Sequence, residues 1–306
     1  MRRKLQWLVL CLLLLLLLGL SPGLATGCQP GFQPGTFTDD LGREVRIEKV
    51  PQRIISLAPS NTEILFALGL GERIVGVTEY CNYPEEAKRI EKIGGFATAD
   101  YEKIIALKPD LILAFGNLQK ALVKKLEENG QTVFWIYPHS IGEILESFER
   151  IGQVTGRVRE AQQLRREIEE KIEIVQTKLK DIPEQEIPAV FRVMGLNPPA
   201  TIGGAAFQTD VYRQAGGRNI FADNDKDYFQ FDLETLIKLD PDIIVVCGED
   251  EEIAKASVKT QEGWGDLTAV KTDRIVVISC DLICRPTPRV AQTIEQLARK
   301  FHPGRF

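Results

Sequence analysis

Beyond a leading block of almost pure leucine, the apolar positions of this chain follow two alternating rhythms. One is a short solid apolar run; the other is a longer stretch with apolar residues every three or four positions. A solid run suits a strand covered on both faces, and spaced positions form the stripe of an amphipathic helix. In the first half, strands are predicted over 53–58, 73–78, 111–115 and 132–137, with helices over 60–69, 101–110 and 118–130. Ser60 and Glu63 have the spacing of a capping box, as do Ser140 and Glu143, which open a helix reaching about Val154. The longest helical run of the body follows over 157–180, with Leu164, Ile168, Ile172, Val175 and Leu179 on one stripe. The pattern then restarts, with strands over 189–195, 243–248 and 274–279 and helices over 205–217, 233–242 and 288–301.

Two further features give the architecture. "ALKPDLILAF" and "IKLDPDIIVVC" hold matching places in the two halves, each a helix end, a Pro-Asp turn and a buried strand. Alternation of strand and helix makes the class α/β. The repeat makes it two Rossmann-like lobes joined by one long helix, with a ligand cleft between them. The expected division is a leader over 1–27, a tether over 28–36, a first lobe over 37–140, a helical connector over 141–186 and a second lobe over 187–306. In open parallel sheets ligands lie beyond the carboxyl ends of the strands. Here those ends lead into 58–63, 78–84, 115–118, 137–140, 195–202, 247–250 and 280–285.

The N-terminus sets the compartment. Arg2, Arg3 and Lys4 precede the leucine block, and "LATGC" ends at Cys28, the pattern of an export signal. It is similar to a bacterial lipobox, which implies cleavage before Cys28, lipidation of that residue and anchoring on the outer face of the cytoplasmic membrane. Loss of those three cations takes the formal charge from −5 to −8. An acidic body without a basic stripe argues against nucleic acid as a partner. His139 and His302, the two histidines, are too few for a histidine-rich metal site. Neither "TIGGAAF" nor "GLGERIVG" completes a phosphate or dinucleotide loop, and no G-x-S-x-G is present, so no enzyme is expected.

From about Val50 onward the chain resembles the periplasmic substrate-binding proteins of ABC importers, in the group with a helical lobe connector and nearest its cobalamin-binding members. The residues carrying this are "RIISLAPSNTEILFALG", "VGVTEYCNYP", "YEKIIALKPDLILAF", "MGLNPPATIGG", "AGGRNIF" and "CDLICRPTPR". The resemblance implies capture of a corrinoid, cobalamin or cobinamide, and its delivery to the membrane subunits of an importer by a monomer with no resident cofactor. An iron–siderophore or haem cargo is the alternative. By position it implies ligand contacts from Tyr80, Phe96, Asn197, Pro198, Tyr228, Asp281, Leu282 and Arg285, Asp281 accepting and Arg285 donating to amide groups on a corrin rim. Phe96, Tyr228 and Leu282 stand where cobalamin binders carry larger aromatics, which leaves the smaller corrinoid open. Glu63 matches an acid that docks on the importer; its counterpart falls on Arg213, so Asp210, one turn earlier, is expected to substitute.

The cysteines carry a rival reading. Cys81, Cys247, Cys280 and Cys284 all fall in the segments at the strand ends, and a thiol–metal or redox enzyme built on these lobes would use them. Cys280 and Cys284 lie four apart before Pro286, in what reads as a loop. A disulfide between them, free thiols and thiolate metal ligation all remain open.

Overall fold

The structure, a computed structural model, describes Phe32–Phe306. The leader over 1–27 and Cys28 lie outside the described residues. Every predicted strand forms; 111–115 keeps its full length and the others lose one to three residues at their ends. In the first lobe β3 (Ile54–Ser56), β4 (Ile74–Val77), β5 (Leu111–Phe115) and β6 (Val133–Ile136) make a parallel sheet of order β4-β3-β5-β6. In the second lobe β7 (Ala189–Val193), β10 (Arg218–Asn219), β12 (Ile243–Cys247) and β13 (Ile275–Ile278) make a parallel sheet of order β10-β7-β12-β13.

The solid apolar runs divide by alternation between two faces. Leu111, Leu113, Phe134 and Ile136 point to one side; Ile112, Ala114, Val133 and Trp135 point to the other. The second sheet splits likewise, with Val190, Ile243 and Val245 opposite Phe191, Ile244 and Val246. The first-named set of each sheet joins one core shared by both lobes. It includes α1 (Pro59–Ala67), α4 (Ile141–Thr155), α5 (Val158–Leu179), α6 (Phe207–Gln214) and α11 (Val290–Phe301). The long helix contributes Ile168, Ile172, Val175 and Leu179, four of the five stripe residues expected; Leu164 is partly buried beside them.

Helix α5 is placed by a tight reversal. Gly156 takes φ 74°, a left-handed cap open mainly to glycine. A Cβ on Gly152 would lie 2.5 Å from Ala161 Cβ, so the bare backbone lets α4 and α5 cross closely. The remaining described helices are α2 (Tyr101–Ala106), α3 (Lys120–Glu128), α7 (Leu233–Leu239), α8 (Glu251–Lys259), α9 (Thr268–Lys271) and α10 (Cys280–Ile283).

Four expectations change. Pro59 occupies the first turn of α1, where its missing N–H is harmless, and Ala58 is the N-cap. Ser60 is thereby inside the helix and buried, so the Ser60–Glu63 box does not form. The second box forms in altered shape: Ser140 Oγ accepts from Glu143 N at 3.2 Å, while the Glu143 carboxylate accepts from His139 N at 2.6 Å. The tether was expected to reach residue 36, but β1 (Gly35–Thr38) pairs antiparallel with β2 (Glu44–Ile47). The stretch 195–202, expected as a loop, is a hairpin. Its strands β8 (Gly195–Leu196) and β9 (Pro199–Ile202) join β11 (Tyr228–Gln230) in an antiparallel sheet.

Candidate functional site

The carboxyl ends of the two parallel sheets face a cleft with a cavity of about 610 Å³. Its first-lobe wall is a chain of rings. Phe96 lies edge-on to Phe115 (centroids 6.2 Å apart), Phe115 to Tyr137 (5.6 Å) and Tyr137 to His139 (4.6 Å). Phe115 ends β5 and Tyr137 follows β6, so strand termination brings both to the cleft edge. The second-lobe wall carries Met194, Phe207, Gln208, Lys226, Asp227, Tyr228 and Cys284. The 203–204 turn packs against the 222–226 segment so closely that a Cβ on Gly203 would lie 2.3 Å from Lys226 O. That close backbone packing holds the segment carrying Asp227 and Tyr228.

Asp227 spans the cleft. Tyr137 Oη donates to its Oδ2 at 2.6 Å, and His139 Nδ1 lies 3.1 Å from its Oδ1. Burial, reinforced by the bond to Asp227, pushes the Tyr137 hydroxyl well above the ordinary phenol range, so it is a fixed donor at neutral pH. Burial likewise raises Tyr228, whose hydroxyl accepts from Gln208 Nε2 at 3.5 Å.

A second set of polar contacts joins the lobes away from this cavity. Arg289, at the start of α11, holds Glu63 of α1 by Nη2–Oε1 at 2.6 Å and Nε–Oε2 at 2.7 Å, and its guanidinium covers the Tyr83 ring at 4.2 Å. Arg285 pairs with Asp281, donates to Asn82 Oδ1 at 2.8 Å and to Tyr80 O at 3.2 Å, and approaches Glu63 at 3.5 Å. Asn82 Nδ2 donates back to Asp281 Oδ2 at 2.7 Å.

The ligand contacts expected from the sequence therefore divide. Phe96 and Tyr228 line the cavity. Asp281 and Arg285 do not; their hydrogen-bonding groups face Asn82, Tyr80 and Glu63, because complementary charge on the opposite lobe satisfies them directly. Leu282 is in the shared core, because the α10 turn rotates it inward. Asn197 and Pro198 form the exposed tip of the β8–β9 hairpin, and Tyr80 is 58% exposed outside the cavity lining. The acids expected to dock on an importer are engaged internally: Glu63 is 3% exposed under Arg289, and Asp210 accepts from Ile141 N at 2.8 Å and pairs with Arg213. Phe115, Tyr137, His139 and Asp227 are not among the ligand contacts expected from the sequence, where His139 is weighed only as a metal ligand. The strand-end rule had marked the segments of the first three; Asp227 precedes β11, a strand without an apolar run.

The cysteines are also sorted. Cys247 ends β12, Cys280 lies two residues past β13, and the adjacency of these parallel strands brings their Cα atoms to 4.9 Å in a disulfide. The Cys280–Cys284 bridge does not form. The segment is a helical turn rather than a loop, with Cys284 N donating to Cys280 O at 3.0 Å. Cys81 is buried, its sulfur 3.2 Å from the hydroxyls of both Thr62 and Thr78. Among the described residues no three His, Cys, Asp or Glu side chains converge as a metal site.

Comparison with known proteins agrees with this geometry. The profile of the periplasmic binding protein family matches residues 54–282. The chain belongs to that family. Its relatives are substrate-binding proteins of ABC transporters, not enzymes, which overturns the thiol–metal or redox enzyme reading. An uncharacterized ABC transporter substrate-binding lipoprotein, YvrC of Bacillus subtilis (strain 168), is 36% identical over 276 residues, covering 89% of this chain and 86% of its own. A vitamin B12-binding protein of Vibrio vulnificus (strain YJ016) is 31% identical over 264 residues, covering 84% and 93%. The crystal structure of a possible iron-binding periplasmic solute-binding protein of Staphylococcus epidermidis superposes with a TM-score of 0.71 at 31% identity, over 82% of this chain and 99% of that one. No described helix is long and apolar enough to cross a membrane.

Proposed function

We propose that this periplasmic binding protein captures a corrinoid, cobalamin or cobinamide, outside the cytoplasmic membrane and delivers it to the membrane subunits of an ABC importer. The observation that carries the reading is the cleft: Phe96, Phe115 and Tyr137 on one lobe oppose Tyr228 and Met194 on the other across about 610 Å³. Facing aromatic walls suit a flat, partly apolar macrocycle, and the polar groups among them, Asn117, Gln208, Lys226 and Asp227, suit the amides of its rim. The vitamin B12-binding relative supports the same cargo. Lipidation at Cys28 would keep the protein on the outer membrane face, and the metal would arrive as cargo rather than reside as a cofactor.

A ferric chelate or haem is the second reading. The Staphylococcus epidermidis neighbour supports it. Equilibrium dialysis of the full chain in detergent, against cobalamin, cobinamide, hemin and a ferric hydroxamate at micromolar concentration, separates the two. Retention of a corrinoid, weakened by Tyr228→Ala, is expected. Retention of only an iron compound would replace the corrinoid reading with the second.

A further inference from the structure

Cys284 is the cavity's thiol, and its setting is unusual. The sulfur is exposed on the wall that carries Tyr228 and Gln208. Behind it stands Arg192 of β7, 1% exposed, with Nη2 donating to Cys284 Sγ at 3.6 Å and Nη1 to Val245 O at 3.3 Å. Among the described residues Arg192 has no carboxylate partner, and its Nε has no hydrogen-bond partner at all. A buried guanidinium without an anion is costly, so its retention needs a reason. Gln208, 1% exposed and lining the same cavity, has an unpartnered Oε1. The site thus holds an exposed sulfur with a buried counter-charge behind it, and a sealed, unpartnered acceptor in another residue of the same wall.

Thiolate is the form of cysteine that ligates metals, and a cation at its back complements the negative sulfur. One thiolate does not hold a bare ion, and among the described residues no His, Cys, Asp or Glu cluster adds further donors at Cys284. A metal already held in plane by its own macrocycle needs just one more donor along the axis. We propose that Cys284 supplies that donor: its thiolate ligates the metal centre of the cargo, with Arg192 as counter-charge. The cleft then selects macrocycles with an exchangeable axial position. On binding, the metal–oxygen bond to an axial water breaks, a metal–sulfur bond forms, and the water and the thiol proton leave to solvent. No electron is transferred. The inference rests on the metal-chelate reading above.

The test offers the full chain cobinamide and hemin, each with open (aquo) axial positions and each capped by cyanide. Wild type is expected to bind one open macrocycle at least tenfold more tightly than its capped form, with a shifted visible absorption spectrum. Cys284→Ser is expected to lose both the shift and the preference while keeping the wild-type far-ultraviolet circular dichroism. Equal affinity for open and capped forms in wild type, or a shift that survives in Cys284→Ser, overturns thiolate ligation and leaves the chelate reading standing. Retention of no macrocycle in any form overturns thiolate ligation together with the corrinoid and haem readings, and leaves only a non-macrocyclic ferric chelate.

Discussion

Glu63 and Arg289, 226 residues apart in sequence, form a two-point ion pair at 2.6 and 2.7 Å that ties α1 of the first lobe to α11 of the second. The carboxylate is almost fully buried, and desolvation would lower the Arg289 pKa; the hydrogen bond and charge of Glu63 overcome this and hold it above its ordinary value. The pair is therefore a lobe fastener. Removing one partner strands a buried charge, which costs about 3 kcal/mol. Arg289→Met is expected to lower the urea unfolding free energy by roughly that amount. A loss under about 1 kcal/mol would mean that Arg285, 3.5 Å from Glu63, suffices alone.

Asp227 meets two groups across the cleft, Tyr137 and His139, so its charge should be readable at Tyr137. In Asp227→Asn the phenol loses a charged acceptor, and its pKa is expected to fall toward the ordinary value of about 10. Ultraviolet difference titration should show one tyrosine ionising at lower pH than in wild type. Tyr137→Phe in the same background should abolish the difference. An unchanged titration curve would show that burial alone sets the Tyr137 shift.

The Cys247–Cys280 disulfide closes a loop over a sequence separation of 33. On the chain-entropy account such a loop contributes about 3.7 kcal/mol. Adding dithiothreitol is expected to lower the thermal midpoint of wild type, and of Cys284→Ser, by a similar amount. In Cys247→Ser the midpoint should start low and ignore the reductant. A wild-type midpoint unmoved by verified reduction would leave the bond without a stabilising role.

Acid should act through helix caps. Asp240 accepts from Thr268 Oγ1 at 2.6 Å and from Thr268 N at 2.7 Å, and these bonds hold its carboxyl below the ordinary range. Asp232 is lowered likewise by its bonds to Thr235. A depressed folded-state value stabilises the fold above the unfolded carboxyl pKa, near 3.9, and that stability is lost as pH falls through the lower folded value. Thermal midpoints should therefore drop from about pH 4 downward, less steeply in Asp240→Asn. A variant slope identical to wild type would assign the acid sensitivity elsewhere.

The sequence by itself determined the α/β class, the two repeated parallel sheets, the long connecting helix and the cleft-edge segments. Those features follow from periodicity and from where strands end, both local along the chain. Solid apolar runs such as 111–115 were legible because both faces of a parallel sheet are covered. The β1–β2 and β8–β9–β11 pairings were not, because their short strands carry few apolar residues and are held by partners distant in sequence. Tertiary structure alone decided what each cleft-edge side chain meets. Asp281 and Arg285 had the right types for a ligand, yet Asn82, Tyr80 and Glu63 of the facing lobe reach them first. Cys280 found Cys247 on the neighbouring strand, which left Cys284 free on the cavity wall with a buried arginine behind it. Partner choice between groups dozens to hundreds of residues apart is set by packing, and spacing along the chain carries no record of it.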